Sequence, residues 1–344
     1  MKSTRNFSRR QFLQGSGGTL ATFAISTSAA AAGIRKQYSG LNSRKFLGTV
    51  KTLATVKDQK VFTEGPAVDG RGDVFFTNVP MDKILRWSVR DKKLTTFREQ
   101  SNKANGLLFD AKGRLLACEG GAGRVTRTDM ATGKITVLAN EFNGFPLAAP
   151  NDLELFGGSL FFTSRPGTTD LKKGNPNAVY RLDLTTKKLH QPLAWPKVHM
   201  PNGIVASPDG KSLYLIEAHP DANRSRSILA FDLGKGGQLS NRRTHINFYP
   251  GRSGDGMCID AEGNLYVAAG LHKTRKTSET LDTRPGIHVI SPAGKLLAFR
   301  QTPTDTITNC TFGGPDLRTL YITSGAHLHS LRAAIPGKPS HKIR

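Results

Sequence analysis

The sequence has little cysteine, few aromatic side chains and few acidic residues. Its 344 residues include 3 Cys, 8% aromatic residues, and 26 Asp and Glu against 49 Lys and Arg. Cys118, Cys258 and Cys310 lack the close spacing that binds zinc or forms a redox motif. Each lies in an apolar, strand-like context, so we expect buried free thiols, with a disulfide between Cys258 and Cys310 as the alternative.

The shortage of acids leaves a formal net charge of +23. Such a basic excess often marks a nucleic-acid-binding protein. However, the sequence has no motif in which basic residues are interleaved with aromatic ones, so we predict no nucleic-acid partner. Anionic substrates, cell-wall polymers or membrane surfaces are better candidates for the partner of this charge.

Long apolar runs are missing after the first thirty residues, because none approaches the roughly 18 residues that span a bilayer. The amino terminus carries the pair Arg9-Arg10, then Gln-Phe-Leu, then an alanine-rich run. This order resembles a twin-arginine signal peptide over residues 1–32, with a linker at 33–41; a simple basic tail is the alternative. We therefore expect the twin-arginine export machinery as a partner, no membrane span, and a soluble mature protein that is periplasmic or secreted.

Glycine and proline are plentiful, with 36 and 18 residues, which suits many short strands and turns. One pattern also occurs six times: a carboxylate or amide residue, a short strand, a turn, and a second strand about ten residues after the polar residue. The spacing between copies rises from 41 to 54 residues. The copies start at Glu64, Asn105, Asn151, Asn202, Asp255 and Asn309.

Six hairpin units of this length predict an all-β fold, a six-bladed β-propeller with four-stranded blades. The segments between the copies supply the third and fourth strands. Because the last blade lacks an outer strand, the amino-terminal segment at 42–58 is expected to complete it and close the ring. The propeller is predicted to span residues 42–335, followed by a basic tail at 336–344. A β-sandwich is the alternative, but it leaves the repeated polar position unexplained.

The first strand of each propeller blade lines the central channel, so the six polar residues are expected to converge on the axis. Their carboxylate and amide oxygens are typical ligands of calcium. They would otherwise simply cap the strand entrances. Capping suits Asn105 and Asn309 better than Glu64 and Asp255, because two carboxylates in a narrow channel repel each other unless a cation lies between them.

A calcium site within the single segment around Asp255 is excluded. An EF-hand loop that began at Asp255 would need Gly at its sixth position and Glu at its twelfth. The chain has Asp260 and Tyr266 there. Asp260 and Glu262 are instead expected to be solvated residues of a hairpin turn.

Five motifs carry a resemblance to a known family: EGP at 64–66, PND at 150–152, PNG at 201–203, GDGMCIDAEGNLYVA from Gly254 and TNCTFGGPDLRTLYIT from Thr308. Over residues 60–325 the sequence resembles the gluconolactonase, regucalcin (senescence marker protein) and luciferin-regenerating enzyme family of six-bladed propellers. The resemblance implies a divalent cation held by Glu64, Asn202 and Asp255, with Asn151 as a further ligand or a substrate contact. Calcium is the expected ion, with magnesium, manganese or zinc as alternatives.

The family resemblance implies a metal-dependent hydrolase of a sugar lactone or a related lactone. The cation would polarise the lactone carbonyl, and a carboxylate, by analogy Asp255, would activate water. Glu119 and Glu217 are alternative bases, unless both are ordinary rim residues. The residues expected to bind substrate are Asn105, Asn151, Glu119 and His272. The alternative function is a non-catalytic propeller that binds a sugar or an anionic cell-wall ligand at a structural metal site.

The sequence departs from the family pattern near the expected channel mouth. The family commonly has Asp where this chain has Asn78 and Ser164, and often Arg and Asn before PND, where this chain has Pro-Leu-Ala-Ala. These departures count against gluconolactone itself as the substrate. The loops expected to overhang the mouth are basic and would favour an anionic lactone, unless their charges are simply solvated. Their basic residues are Arg165, Lys172, Lys173, Arg224, Arg226, Lys273, Arg275 and Lys276.

Overall fold

A computed structural model describes residues 37–338 of the chain. The predicted leader at 1–32, the first part of the predicted linker and residues 339–344 lie outside the described residues. The chain divides into two compact units between Ser39 and Gly40, and the elements below belong to the second unit. Within the described range, no helix is both long and apolar enough to cross a membrane.

Six four-stranded antiparallel sheets form the blades of a β-propeller, as predicted. The first elements are a short helix α1 (Ser43–Phe46) and strand β1 (Lys51–Thr55). Blades one and two comprise β2 (Thr63–Val68), β3 (Val74–Asn78), β4 (Lys83–Ser88), β5 (Lys93–Arg98), β6 (Ala104–Phe109), β7 (Leu115–Glu119), β8 (Arg124–Thr128) and β9 (Ile135–Ala139). A small hairpin follows, β10 (Glu141–Phe142) and β11 (Phe145–Pro146).

The remaining four blades repeat this arrangement. Blades three and four comprise β12 (Pro150–Phe156), β13 (Ser159–Ser164), β14 (Ala178–Asp183), β15 (Leu189–Ala194), β16 (Pro201–Ala206), β17 (Ser212–Ala218), β18 (Arg226–Leu233) and β19 (Leu239–Asn247). Blades five and six comprise β20 (Gly254–Ile259), β21 (Leu265–Ala269), β22 (Gly286–Ile290), β23 (Leu296–Gln301), β24 (Ile307–Gly313), β25 (Thr319–Ser324) and β26 (His327–Arg332).

The ring closes where the start of the propeller meets its end. Strand β1 pairs with β26 and so becomes the outer strand of blade six, as the sequence predicted. The Thr52 hydroxyl lies 3.0 Å from His329 Nδ1, although 277 residues separate the two along the chain. The two ends of the propeller therefore hold each other in place.

The core is divided into six apolar clusters, one between each pair of neighbouring blades. The middle strands have apolar side chains on both faces because each blade packs against two others. Phe75 and Phe76, adjacent in β3, are both fully buried, one facing blade two and the other blade six. At about 25 cal/mol per Å² of buried apolar surface, these interfaces are the main source of stability.

The turns after the inner strands share one hydrogen-bond pattern. In blades one, two and five, the carboxylates of Asp69, Asp110 and Asp260 accept backbone N–H bonds from the residues two and four positions later. The prediction that Asp260 is a turn residue is therefore correct, although its side chain is buried rather than solvated. Its second oxygen accepts a bond from Asn264 Nδ2 at 2.8 Å.

The far end of the channel is crossed by Lys338. Its Nζ donates to Glu154 Oε1 at 2.5 Å and to the carbonyl oxygen of Ala206 at 3.0 Å. Glu154 and Ala206 lie towards the ends of β12 and β16, whereas Asn151 and Asn202 lie at the starts of these strands. The first residues of the predicted basic tail therefore contact the propeller.

Because His288 is buried, we expect acid to destabilise the fold. This residue in β22 is fully buried beside Phe248 and Phe299, and burial lowers its pKa from 6.5 to about 4. An unfolded chain takes up a proton near pH 6.5 and the folded chain only near pH 4, so protons favour unfolding between these values. We expect His288 to reduce the free energy of unfolding by about 3 kcal/mol between pH 7.5 and pH 4.

Urea denaturation at several pH values measures this effect. His288→Leu should remove its own share of the pH dependence and leave that of the buried His329, whose pKa is also about 4, whereas the same change at the partly exposed His327 should leave the His288 share in place. An unchanged slope in His288→Leu would contradict the prediction.

Candidate metal and substrate site

The six polar residues of the repeat lie at equivalent positions, at the starts of the innermost strands. These strands, β2, β6, β12, β16, β20 and β24, contact one another in a closed ring. In every blade the pairing of the first two strands is irregular beside the polar residue. Such bulges re-aim side chains, and they commonly lie next to functional sites.

Glycines next to the polar residues let the inner strands approach closely. Gly65 has φ +47°, and a Cβ there would lie 2.2 Å from the carbonyl oxygen of Asn105 in the next blade. A Cβ at Gly203 would lie 2.9 Å from the carbonyl oxygen of Asp255. Substituting either glycine would force neighbouring blades apart at the level of the candidate site.

The channel is narrow enough to be bridged directly. Asn309 Nδ2 donates to Asp152 Oδ2 at 3.1 Å, although the two residues belong to opposite blades, three and six. Burial raises the pKa of Asp152 to about 7. Asp152 was not predicted as a site residue, because its role depends on a partner 157 residues away.

Glu64 is a buried carboxylate without a cationic partner. Its side chain is 4% exposed, and one oxygen accepts a 3.3 Å bond from the N–H of Gly65. Among residues 37–338, no Lys, Arg or His lies within ion-pair distance of it. Burial raises its pKa well above the ordinary value, and the negative charges of Asp255 and Asp152 raise it further, whereas the Gly65 N–H and the more distant charge of Arg165 lower it by less.

Asp255, by contrast, is surrounded by donors. Asn202 Nδ2 donates to its Oδ1 at 2.5 Å, and Arg252 Nη2 donates to its Oδ2 at 2.5 Å. Arg165 Nη2 lies 3.9 Å from Oδ1. Asp255 is 6% exposed, so these contacts are largely shielded from bulk water. Arg252 was not predicted, since the other five copies give no hint of an arginine three residues before the polar position.

The remaining predicted site residues differ in their surroundings. Asn151 is 8% exposed, and Asn105 is partly exposed at the equivalent place in blade two. His272 lies in the loop after β21. Its ring Nε2 is 3.1 Å from the carbonyl oxygen of Thr302, and its backbone N–H donates to Asp305 Oδ1. The two asparagines thus lie in the ring of polar residues, and His272 lies on a loop at the same face.

Glu119 has no carboxylate oxygen left for a substrate. It is fully buried, and it accepts bonds from Arg98, Arg124, Thr126 and Asn102. These contacts favour the alternative that Glu119 is a structural residue, and they count against its predicted role in substrate binding. Glu217, the other alternative base, is similarly occupied, because it accepts the backbone N–H bonds of residues 199 and 200.

Arg226 was expected on the surface of a basic loop, and that expectation is wrong. Its guanidinium is fully buried and donates to the carbonyl oxygens of His219, Pro220, Asp221 and Pro250. It also donates to the backbone and hydroxyl oxygens of residue 278. Arg226 therefore joins three loops on the face where the inner strands begin.

A hard divalent cation fits the residues at the channel entrance. Glu64 and Asp255 supply carboxylate oxygens, Asn151 supplies an amide oxygen, and a half-turn of the Asn202 amide would present its Oδ1. The burial of Glu64 beside Asp255 and Asp152, without an ion pair among residues 37–338, is the observation that favours a cation. No group of three or more His, Cys, Asp or Glu residues between 37 and 338 is arranged to hold a metal, so amide oxygens would have to complete the ligand set. Such a set favours calcium or magnesium over zinc.

The cysteines are free thiols. Cys258 Sγ and Cys310 Sγ lie 3.6 Å apart on the neighbouring strands β20 and β24 and form no disulfide. Cys118 is buried, as expected.

Comparison with known proteins agrees with the geometry. The family model "SMP-30/Gluconolactonase/LRE-like region" matches residues 62–326. The chain is 26% identical over 299 residues to a gluconolactonase of Zymomonas mobilis subsp. mobilis, covering 79% of this chain and 78% of that protein. It is 27% identical over 289 residues to regucalcin of Danio rerio, covering 81% and 88%.

A solved structure gives the same result. A gluconolactonase of Xanthomonas campestris superposes with a TM-score of 0.69 at 28% identity, covering 84% of this chain and 91% of that one. These similarities support a lactonase-like function. With a family model that covers most of the propeller, the chain belongs to the SMP-30/gluconolactonase/LRE-like family.

Proposed function

We propose that the protein hydrolyses a lactone and requires a divalent cation, with calcium as the first candidate, held by Glu64, Asn202 and Asp255. The observation that carries this proposal is Glu64, a buried carboxylate that faces Asp255 and Asp152 and forms no ion pair with any residue between 37 and 338. Its oxygens and those of Asp255 and two asparagines are hard ligands at the entrance of one channel. The named relatives, gluconolactonases and regucalcins, support the same class of reaction.

When bound, the cation would polarise the lactone carbonyl and offset the negative charge that develops on its oxygen. The chain itself supplies the proton acceptor: Asp255 takes a proton from the attacking water. Asn202 and Arg252 donate hydrogen bonds to its two oxygens and so fix the orientation of its carboxylate. Addition of water to the carbonyl carbon and cleavage of the ring C–O bond give the open hydroxy acid.

The other asparagines position the ring. Asn151 and Asn105 occupy the next two entrances around the channel, and their amides would bond to substrate hydroxyl groups. Burial of the surrounding residues limits competing water, which strengthens each of these polar contacts.

Activity and stability should both depend on the cation. We expect hydrolysis of a panel of sugar lactones to disappear after chelation and to return with calcium. At a calcium concentration about a hundred times its Kd, the melting temperature should rise by roughly 5 °C. Glu64→Gln keeps the shape but not the charge, so it should lose most of this rise. Calcium-linked stabilisation together with ligand binding but no turnover of any lactone would favour the non-catalytic alternative.

A further inference from the structure

Three arginines gather around Asp255. Arg252 and Arg165 approach its two oxygens at 2.5 and 3.9 Å. Arg275 lies on the loop after β21, where burial and the positive charge of Arg252 lower its pKa. Proteins rarely place several guanidinium groups this close together unless anions balance them. Within residues 37–338, Asp255 is the one carboxylate in ion-pair distance of any of the three, while Glu64 acts on Arg165, and Asp305 and Glu279 act on Arg275, from farther away.

The three arginines differ in how far their donors are already used. Arg252 donates to Asp255 and to the carbonyl oxygens of Gly270 and Ile307. Its side chain is only 10% exposed, so Arg252 has a structural role beside the site. It holds Asp255 in place and offers little to a ligand.

Arg165 retains free donors. Its Nη1 contacts the Met200 sulfur at 3.7 Å, a weak acceptor, and its Nε is buried without any partner among the residues that the structure describes. Its side chain is 24% exposed, and its backbone N–H donates to the carbonyl oxygen of Ala149, two residues before Asn151. The guanidinium is therefore fixed beside the channel entrance with hydrogen-bonding capacity that the protein does not use.

We infer that Arg165 binds a carboxylate of the substrate, and that the substrate is an acidic lactone, such as the monolactone of a sugar diacid. A planar guanidinium with unused N–H groups matches a carboxylate in a two-point hydrogen bond. Arg275, on the blade-five loop after β21, adds positive charge to the same face of the propeller. The inference rests on the proposed lactone hydrolysis, in which the second carboxylate stays intact while water opens the ring ester.

Kinetics on a matched pair of lactones tests the inference. Wild-type protein should prefer the monolactone of glucaric acid to neutral glucono-δ-lactone. In Arg165→Met, KM for the acidic lactone should rise by about 10- to 100-fold, so that the preference falls at least tenfold. Arg165→Lys keeps the charge without the two-point geometry, so its KM for the acidic lactone should lie between those of the wild type and Arg165→Met. Raising the ionic strength should weaken the wild-type preference.

Arg90→Met is the matched control, since this exposed arginine lies in the turn after β4, at the far end of the blade. Arg90→Met should change the hydrolysis kinetics of neither lactone. Equal hydrolysis of both lactones by the wild type, or an equal effect of Arg165→Met on both, would overturn the inference while leaving the proposed function intact.

Calorimetric titration with glucarate provides a readout that does not depend on turnover. If neither lactone is hydrolysed, the proposed function fails, but tenfold weaker glucarate binding by Arg165→Met than by Arg90→Met still supports the carboxylate site. Absence of glucarate binding to wild-type protein would overturn the inferred carboxylate site.

Discussion

Asp255→Asn should lower kcat/KM for lactone hydrolysis by about a thousandfold or more, close to 4 kcal/mol of transition-state stabilisation. The carboxylate is both a proposed ligand of the cation and the proposed proton acceptor, and an amide performs neither role well. Asparagine also leaves Arg252 without its ion pair in a largely buried place. Steady-state kinetics with saturating calcium measures the effect, and calorimetry measures the accompanying loss of calcium affinity.

Asp316→Asn is the control for Asp255. Asp316 is about half exposed and pairs with Arg332 on the surface, so its loss should change activity by less than about twofold. A fall of less than tenfold in Asp255→Asn, with folding intact, would contradict both roles assigned to Asp255.

Arg226→Ala should reduce the free energy of unfolding by at least about 3 kcal/mol. The mutation removes the guanidinium donors from the carbonyl oxygens of His219, Pro220 and Pro250, of which only the last two keep backbone N–H donors, from residues 278 and 280, within the described range. It also opens a cavity where the largest fully buried side chain lies. Lysine has one nitrogen in place of three, so Arg226→Lys should recover less than half of the loss. Urea denaturation followed by circular dichroism measures both variants.

Arg243→Ala tests whether the effect is specific to burial. Arg243 forms an ion pair with Asp232, and both side chains are close to half exposed. Its loss should cost less than about 1 kcal/mol. If Arg226→Ala costs no more than this control, the loops at the channel entrance do not depend on Arg226.

The sequence predicted the ring of polar residues because the propeller repeats its backbone. A residue at one place in a repeat recurs at the same place in the fold, so Glu64 and Asp255 could be brought together without any contact information. The strand count of each blade likewise predicted that the amino-terminal segment, now β1, pairs with the last blade, since a blade that lacks an outer strand must take one from elsewhere. Period and register are properties of the chain itself.

Partners of individual side chains could not be predicted in this way. Glu119 and Glu64 both adjoin short strands, yet one accepts bonds from two arginines and the other has none. Asp152 depends on Asn309 from the opposite blade, and Arg226 depends on carbonyl groups of three loops. These contacts join residues that no local pattern relates, so only the folded chain reveals them.

Lys338, at the far end of the channel, limits how molecules can reach the site. Together with Glu154 it lines a cavity of about 80 Å³ below the candidate site, which has room for water molecules but not for a sugar lactone. In the proposed reaction, substrate therefore enters and product leaves at the mouth beside Arg165. The acidic product of that reaction would leave past Arg165, whose guanidinium we infer to bind the carboxylate of the substrate. The hydroxy acid should accordingly inhibit in competition with the lactone, and turnover should slow as product accumulates.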